Sequence, residues 1–270
     1  MRVRRPTFDF SNTPARWATE GEFAQQMNAS SLWIPYLERF LNRVMAQAAS
    51  RLDANDPNTA KLKADIRMFI RQEANHYSLH GAFNEILPRS GYNVKAFEEH
   101  FEKEFARLYE TKSFKFLLAY CEGFETLGPP MALVWLDEIE ELLAGADSEV
   151  VRLWKWHLME EYEHRAVCHD AFKAFRGGYF LRVYAFFYQL RHLGGFSRMV
   201  RDHLFEVDSA GKTPSEIKEM KLRGKRVMRK VMKLALPRIL KALSPFHDPA
   251  KAPEPKAYRR YMASIEASLA

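Results

Sequence analysis

The chain has 270 residues, of which 47% are apolar and 28% charged, a composition typical of one large globular domain or two small ones. Two cysteines are too few for a disulfide framework, and we find neither a secretory leader nor a run of about eighteen uncharged apolar residues, so we expect a cytoplasmic protein without a spanning helix. The net charge of +7 is uneven, because residues 1–177 hold 22 Lys and Arg against 26 Asp and Glu, whereas residues 178–270 hold 19 against 8.

Apolar residues recur every three to four positions along most of the chain, which predicts helices rather than strands. Residues 1–30 look irregular, and Ser31 is the expected N-cap of the first helix. The predicted helices cover 31–52, 57–87, 95–110, 113–143 and 148–176. A turn is predicted at 53–58 and a kink at 128–130. Four of these helices are long and are joined in pairs by short turns, so we expect an all-α helical bundle.

Two of the predicted helices carry polar side chains in the middle of otherwise apolar stripes. In the second helix the stripe consists of Leu62, Ile66, Phe69, Glu73, His76, His80, Phe83 and Leu87. In the fourth long helix it consists of Val150, Trp154, His157, Glu161, His164, Cys168, Ala171 and Phe175. Each stripe contains a Glu-x-x-His pair, whose spacing puts a carboxylate and an imidazole side by side on one helix face.

Two further carboxylates lie on the apolar stripes of the other long helices. Glu38 lies on the first helix and Glu125 on the third. Glu122 is the alternative on the third helix, since Thr126 is its i+4 neighbour, but periodicity and axial level favour Glu125. Burying an ionised carboxylate without a partner costs several kcal/mol, so these groups must pair with cations.

One Glu from each of two helices and a Glu-x-x-His pair from each of the other two is the ligand layout of ferritin-like di-metal bundles. The sequence therefore predicts a two-metal site with the ligands Glu38, Glu73, His76, Glu125, His157, Glu161 and His164. His157, four residues before Glu161, gives one metal the richer nitrogen set. We expect His80 and Glu160 to orient ligand histidines from outside, with direct ligation as the alternative, and Glu163 to be solvated. A hydrogen-bonded core histidine is a further alternative for His80.

Three segments of the chain resemble a known family. The motifs of the bacterial family labelled "predicted metal-dependent hydrolase", of the ferritin-like superfamily, are similar to RQEANHYSLHGAFN (71–84) and LWKWHLMEEYEHRAVCHD (153–170). The first-helix motif of that family resembles LERF (37–40), which includes Glu38. The resemblance covers about residues 5–200. It implies a ferritin-like bundle and a metal-dependent protein. From the charge asymmetry we expect the four-helix bundle to cover residues 1–177, followed by a basic extension of additional C-terminal helices over residues 178–270, packed on the bundle or at a membrane surface.

The spacing of His157, Glu161 and His164 also resembles that of the di-iron arylamine N-oxygenases, which implies O₂ chemistry. Imidazole and carboxylate ligands suit two iron ions, with manganese or a mixed manganese–iron pair as alternatives. We expect a di-iron oxidase or oxygenase that takes O₂, a small apolar substrate and electrons from an external donor. A metal-dependent hydrolase and a ferritin-like iron-handling protein are the alternatives. The predicted pocket walls are Cys121, Phe124, Thr126, Trp154 and Phe172.

The last third of the chain indicates a surface partner. Residues 179–190 are apolar and aromatic but interrupted by Arg182 and Gln189, and residues 221–243 contain nine Lys and Arg and no acid. This pattern is typical of a basic amphipathic segment, so we predict peripheral contact of residues 179–243 with the inner face of a membrane. The alternative is a solvated extension packed on the bundle. We do not expect nucleic-acid binding, because no binding motif accompanies the basic charge. A homodimer is a further possibility that the sequence does not decide.

Overall fold

The computed structural model describes residues 1–53 and 57–268, and every regular element in these ranges is helical, which confirms the all-α prediction. The α-helices are α1 (Gly21–Arg51), α2 (Pro57–Asn84), α3 (Ile86–Arg89), α4 (Lys95–Thr111), α5 (Phe114–Glu125), α6 (Gly128–Asp137), α7 (Glu140–Leu143), α8 (Ser148–His164), α9 (Val167–Ala174), α10 (Tyr179–Ser209), α11 (Pro214–Lys241) and α12 (Tyr258–Ser268). No helix in the described ranges combines the length and apolarity that a membrane crossing requires. Part of the predicted turn at 53–58 lies outside the described residues.

The first helix begins at Gly21, well before the predicted start, and Ser31 lies inside it rather than at its N-cap. No side-chain hydrogen bond caps this end, and Gln25 and Asn28 interrupt the apolar pattern, which is why the sequence did not reveal the first turns. Both polar residues are buried and bonded. The Asn28 side chain accepts a hydrogen bond from the Trp17 indole and donates one to Gln25. These polar groups are therefore buried with hydrogen-bond partners.

Three of the predicted long helices break. The second ends at Asn84 and is followed by the short α3. The third divides into α5, α6 and α7, and its first break falls at the predicted kink, because Pro129 and Pro130 lie in the first turn of α6, where no backbone N–H is needed. The fourth divides after His164 into α8 and α9, which the sequence did not predict. At this break the Arg165 guanidinium donates to the carbonyl of Tyr162 and competes with the backbone for it.

The bundle core consists of α1, α2, the α5–α6 pair and the α8–α9 pair. α1 packs along α2, α6 packs against α8, and α5 against α9. The C-terminal helices cover this core, because α10 lies against α1 and α5, α11 against α1 and α6, and α12 against α8. The N-terminal segment, residues 1–20, lies over α2 and α8, where the Arg4 carbonyl accepts from Asn75. The division into two regions at residue 177 stays a prediction.

Candidate metal centre

Seven buried side chains from α1, α2, α5 and α8 converge inside the bundle. They form two groups, and within each group one potential ligand atom per residue lies within 4.8 Å of all the others. The first group consists of Glu38, His76, His157 and Glu161. The second group consists of Glu73, Glu125, Glu161 and His164. Glu161 belongs to both groups, so one carboxylate joins them.

The Glu161 carboxylate points one oxygen toward each group. Its Oε1 lies 3.2 Å from Nε2 of His157, and its Oε2 lies 3.4 Å from Nε2 of His164. The Glu73 carboxylate also lies between the groups, because its Oε1 is 3.3 Å from both Nδ1 of His76 and Nε2 of His164. Two carboxylates that reach both groups are suited to bridge a pair of ions.

The polar atoms of the centre lack hydrogen-bond partners. Among the described residues, the buried atoms without a partner include both side-chain oxygens of Glu38, Glu73 and Glu125, Nδ1 of His76 and Nε2 of His164. An unpaired buried polar group costs roughly 1–3 kcal/mol, and more when it is charged. Cations would satisfy these atoms, and two divalent ions would balance the four carboxylates. The residues therefore fit a pair of metal ions.

Crowding shifts the ionisation of the centre. Burial raises the pKa of Glu38 well above its usual range, and the carboxylates of Glu73 and Glu161 raise it further. Burial likewise raises the pKa of Glu125, with added repulsion from Glu161. Burial alone would lower the pKa of His76, but nearby carboxylates led by Glu73 outweigh it and raise that pKa to about 9. Protons therefore occupy the centre at neutral pH when cations do not.

We expect metal binding at neutral pH to release protons, because a metal ion and a proton compete for the same oxygen and nitrogen atoms. Acidification should weaken binding by about tenfold per pH unit for each proton displaced. The dependence should extend upward to the pKa of His76, about 9. Titration calorimetry in buffers of different ionisation enthalpy measures the number of protons released. A binding enthalpy that does not depend on the buffer would contradict this expectation.

One histidine of the centre is held by a hydrogen bond through its second ring nitrogen, and another lies beside a carboxylate. Nδ1 of His164 lies 3.1 Å from Oε1 of Gln72, which fixes the ring and leaves Nε2 facing the centre. Nε2 of His76 lies 3.2 Å from Oε2 of Glu160, the residue expected to orient a histidine, but the two atoms form an ion-pair contact without a hydrogen bond. Gln72 was missed in the sequence because it lies one position beside the stripe residue Glu73, where periodicity predicts no inward role.

The third histidine, His157, is held by a chain of hydrogen bonds that reaches α1. Nδ1 of His157 lies 2.9 Å from Nε2 of His80, and Nδ1 of His80 lies 2.8 Å from the Ser31 hydroxyl. Ser31 donates its single proton to Asn84, so it must accept from Nδ1–H of His80. Burial, reinforced by His157, lowers the pKa of His80 well below its usual range and keeps His80 neutral.

This chain sets the tautomer of His157. A neutral His80 that donates through Nδ1 must accept at Nε2, so Nδ1 of His157 carries the proton. Nε2 of His157 then turns a lone pair toward the centre, where it lies 3.2 Å from Glu161 and 3.7 Å from Glu38. A lone pair that faces two carboxyl groups needs either a metal ion between them or a proton on one of them, so this nitrogen is suited to bind a metal ion that displaces such a proton.

A family model described as predicted metal-dependent hydrolase matches residues 2–252. The chain belongs to this family. No curated protein and no solved structure matches the chain at a significant level. The protein is therefore a metal-dependent type of enzyme on an all-α, ferritin-like bundle. Two findings carry this statement: its membership of the family, and two buried groups of carboxylates and imidazoles that could bind metal ions.

In this member of the predicted metal-dependent hydrolase family, the N-terminal segment closes the outside of the centre. The buried Arg4 guanidinium donates to Glu163 at 3.0 Å and lies 3.6 Å from Glu160. Glu163 also accepts from Gln72 and Tyr258, both at 2.9 Å, so the prediction that Glu163 is solvated was wrong. Burial would raise the pKa of Glu163, but Arg4 outweighs it and holds that pKa below its usual range.

Glu122, the alternative to Glu125 on α5, lies outside both groups of the candidate metal centre. Its Oε1 accepts from Nδ1 of His169 at 3.1 Å and lies 3.6 Å from the Arg182 guanidinium. Oε2 of Glu125, by contrast, lies 3.2 Å from Nε2 of His164. Position therefore favours Glu125, and its role as a ligand stays a prediction.

The predicted pocket residues lie in three different surroundings. The buried core contains Cys121, Trp154 and Phe172. Phe124 is half-buried, and its ring packs edge-on against Trp33. Thr126 lines a cavity of about 260 Å³. Thr126 directly follows Glu125 in sequence, but none of the seven converging residues lines this cavity.

Gly128, at the start of α6, allows the carboxylate of Glu161, which both groups share, to lie close to the helix break. A Cβ built at Gly128 would lie 3.0 Å from both Cβ and Oε2 of Glu161, so Gly128→Ala requires Glu161 to shift by a few tenths of an ångström. We expect the shift to weaken metal binding roughly tenfold. This is the lower end of the roughly 10–100-fold loss that follows when the groups that orient metal ligands are changed. Gly195→Ala on α10 is the matched control, because its added Cβ meets nothing within 4 Å. Competition with a coloured chelator compares the two affinities, and equal values would contradict the prediction.

Proposed function

We propose that this protein is a di-iron enzyme that uses O₂ to oxidise a small apolar organic substrate. One observation carries the proposal: the two buried groups of nitrogen and oxygen atoms share the carboxylate of Glu161. The first group offers two imidazoles and two carboxylates, and the second offers one imidazole and three carboxylates. Mixed sets of this kind suit iron or manganese. Two ferrous ions held there would supply electrons for the reduction of O₂.

The surrounding side chains keep water out of the centre. Each of the seven converging residues is at most 2% exposed. Three ring pairs have centroids 4.9 Å apart in edge-on geometry: Phe69 with His164, Trp156 with His76, and Trp154 with His80. Exclusion of water strengthens electrostatic interactions inside a site and protects a reactive oxidant from side reactions. A dry, enclosed centre therefore supports O₂ chemistry.

The cavity at the α5–α6 break is the candidate substrate site. Its volume is about 260 Å³, which suits a small molecule. One part of its lining consists of Thr126, Pro129, Pro130 and Leu133, and the rest includes the charged residues Arg238, Lys241, Asp248 and Lys251. The proline and leucine part fits the apolar portion of a small molecule. Thr126 of this cavity follows Glu125 in sequence, which supports the choice of this cavity as the substrate site.

A metal-dependent hydrolase is the second candidate, and the family description favours it. Two divalent ions at the same residues would activate a water molecule for attack on an ester or a phosphate. The burial of every converging side chain opposes this alternative, because the polar group of the substrate would have to enter an enclosed core. O₂ is small and apolar and does not meet that barrier.

Anaerobic loading with ferrous iron separates the two candidates. We expect the loaded protein to consume O₂ and to oxidise its iron, as measured with an oxygen electrode and by Mössbauer spectroscopy. Zinc- and manganese-loaded samples are assayed in parallel with aromatic esters and phosphate esters. Metal-dependent ester turnover without O₂ uptake by the ferrous protein would replace the first candidate by the second. Protein carrying Glu161→Gln is the control for iron bound elsewhere.

A further inference from the structure

One corner of the molecule is built where the start of α10 meets the residues that follow α11. The Tyr179 hydroxyl donates to the Leu243 carbonyl, and the Arg182 guanidinium donates to the carbonyls of Ala242 and Ser244. Arg182 is itself buried. These bonds make the corner a fixed part of the fold, so side chains that project from it keep a defined position.

Large apolar side chains are exposed at and beside this corner. Phe180 is 85% exposed and Phe246 is 91% exposed, although both belong to residue types that are normally buried. The apolar corner, as we define it, consists of Phe180, Tyr184, Phe187, Leu236, Leu240 and Phe246. The spacings of its members within α10 and within α11 put them on one face of each helix. A grouped set of exposed apolar residues marks an interaction surface.

Unpaired basic side chains flank the apolar corner along α11. Three of the nine basic residues between positions 221 and 243 form ion pairs, namely Arg223 with Glu22, Lys230 with Glu141 and Arg238 with Glu138. The other six are exposed and have no ion-pair partner within the described part of the chain: Lys221, Lys225, Arg226, Arg229, Lys233 and Lys241. The surface therefore combines free positive charge with exposed aromatic and aliphatic groups.

We propose that the apolar corner and the six unpaired cations of α11 bind the anionic surface of a phospholipid membrane. Basic residues near such a surface are attracted to lipid phosphates, and aromatic and leucine side chains insert between the headgroups. The contact is peripheral, since none of the described helices can span a bilayer. Duplex nucleic acid would attract the cations but would leave the exposed rings of Phe180 and Phe246 in water.

The candidate substrate cavity lies at the edge of this surface. Lys241, Ala242 and His247 line the cavity, and Leu240 and Phe246 of the apolar corner are their neighbours in sequence. Membrane binding would bring the cavity next to the lipid, where apolar molecules concentrate. This route for substrate rests on the proposed function, whereas membrane binding itself does not depend on it.

Co-sedimentation of the full chain with lipid vesicles tests the proposal without any assay of activity. Vesicles of phosphatidylcholine alone are compared with vesicles of phosphatidylcholine mixed with phosphatidylglycerol, at low and at high salt. We expect binding only to the anionic vesicles, and weaker binding at high salt, because exposed charges are screened. Replacing Lys225, Arg229 and Lys233 together with Ala should weaken the binding about a hundredfold.

Two further variants make the test specific. Replacing Arg67, Arg71 and Lys103 with Ala removes the same charge from exposed positions on α2 and α4 and should leave binding unchanged. The double variant Phe180→Ser, Phe246→Ser should reduce binding without loss of fold, because both rings are already in solvent. Equal recovery with neutral and anionic vesicles, equal loss in the two triple variants, or binding to duplex DNA without binding to vesicles would overturn the proposal.

Discussion

Replacing Glu161 with Ala is expected to abolish stoichiometric metal binding, whereas the intact chain should bind two ions per molecule. Glu161 is shared by both groups of the centre, with Oε1 facing His157 and Oε2 facing His164. Its removal takes one donor from each group and also removes the link between them. The affinity should fall by more than about a hundredfold, because even the outer partners of ligands contribute 10–100-fold.

Metal analysis of loaded protein after gel filtration measures this effect. Glu125→Ala, which removes a donor from the second group alone, should leave one ion bound. Glu122→Ala is the control on the same helix, since Glu122 pairs with His169 away from the centre, and it should retain both ions. Circular dichroism would confirm that each variant is folded. Two ions in Glu161→Ala, or a lost ion in Glu122→Ala, would contradict the assignment.

Arg4→Met is expected to lower the free energy of unfolding by about 3 kcal/mol, because breaking a buried ion pair leaves an uncompensated charge. Arg4 is buried between Glu163 and Glu160, and Met retains an apolar stem without the charge. Unfolding in denaturant, at matched metal content, measures the difference. The effect should shrink on acidification: the folded-state pKa of Glu163 is lowered, so its stabilisation is present at neutral pH and lost as the pH falls through that value.

Arg2→Met on the same segment is the control for this effect. Arg2 is exposed, and its guanidinium pairs with Glu266 at the surface. Exposed pairs contribute about 0–1 kcal/mol, so we expect little change in stability. Equal destabilisation by the two substitutions would show that the buried contacts of Arg4 contribute nothing beyond a surface pair.

Helical periodicity explains why the converging residues could be recognised in the sequence. The Glu73–His76 and Glu161–His164 pairs interrupt apolar stripes, and a buried polar residue is conspicuous because its burial is costly. Glu38 could be placed at the same height as Glu73 because both lie a similar number of residues from one turn. The structure brings these side chains together, and their role as ligands stays a prediction that metal analysis tests.

Contacts between residues far apart in the chain left no comparable pattern. Arg4 and Glu163 are 159 residues apart, and no sequence pattern near either residue predicts their contact. Gln72 and Ser31 hold histidines through single hydrogen bonds, which have no period. The break after His164 has no Gly or Pro to mark it and coincides with side-chain bonding by Arg165. Tertiary contacts of this kind override local propensity, and only coordinates reveal them.

Because the centre is enclosed, we expect the rate of metal exchange to depend on local unfolding of the chain around it. The first seven residues of the N-terminal segment contain no helix and are held by side-chain bonds such as that between Arg4 and Glu163. Segments held in this way open at a lower free energy than core helices do. Opening of this segment would uncover Glu160, which lies beside His76, and Gln72, which holds His164 from outside. We therefore expect the half-life of bound metal in excess chelator to follow the free energy of this local opening, and to be far shorter than the lifetime of the folded chain.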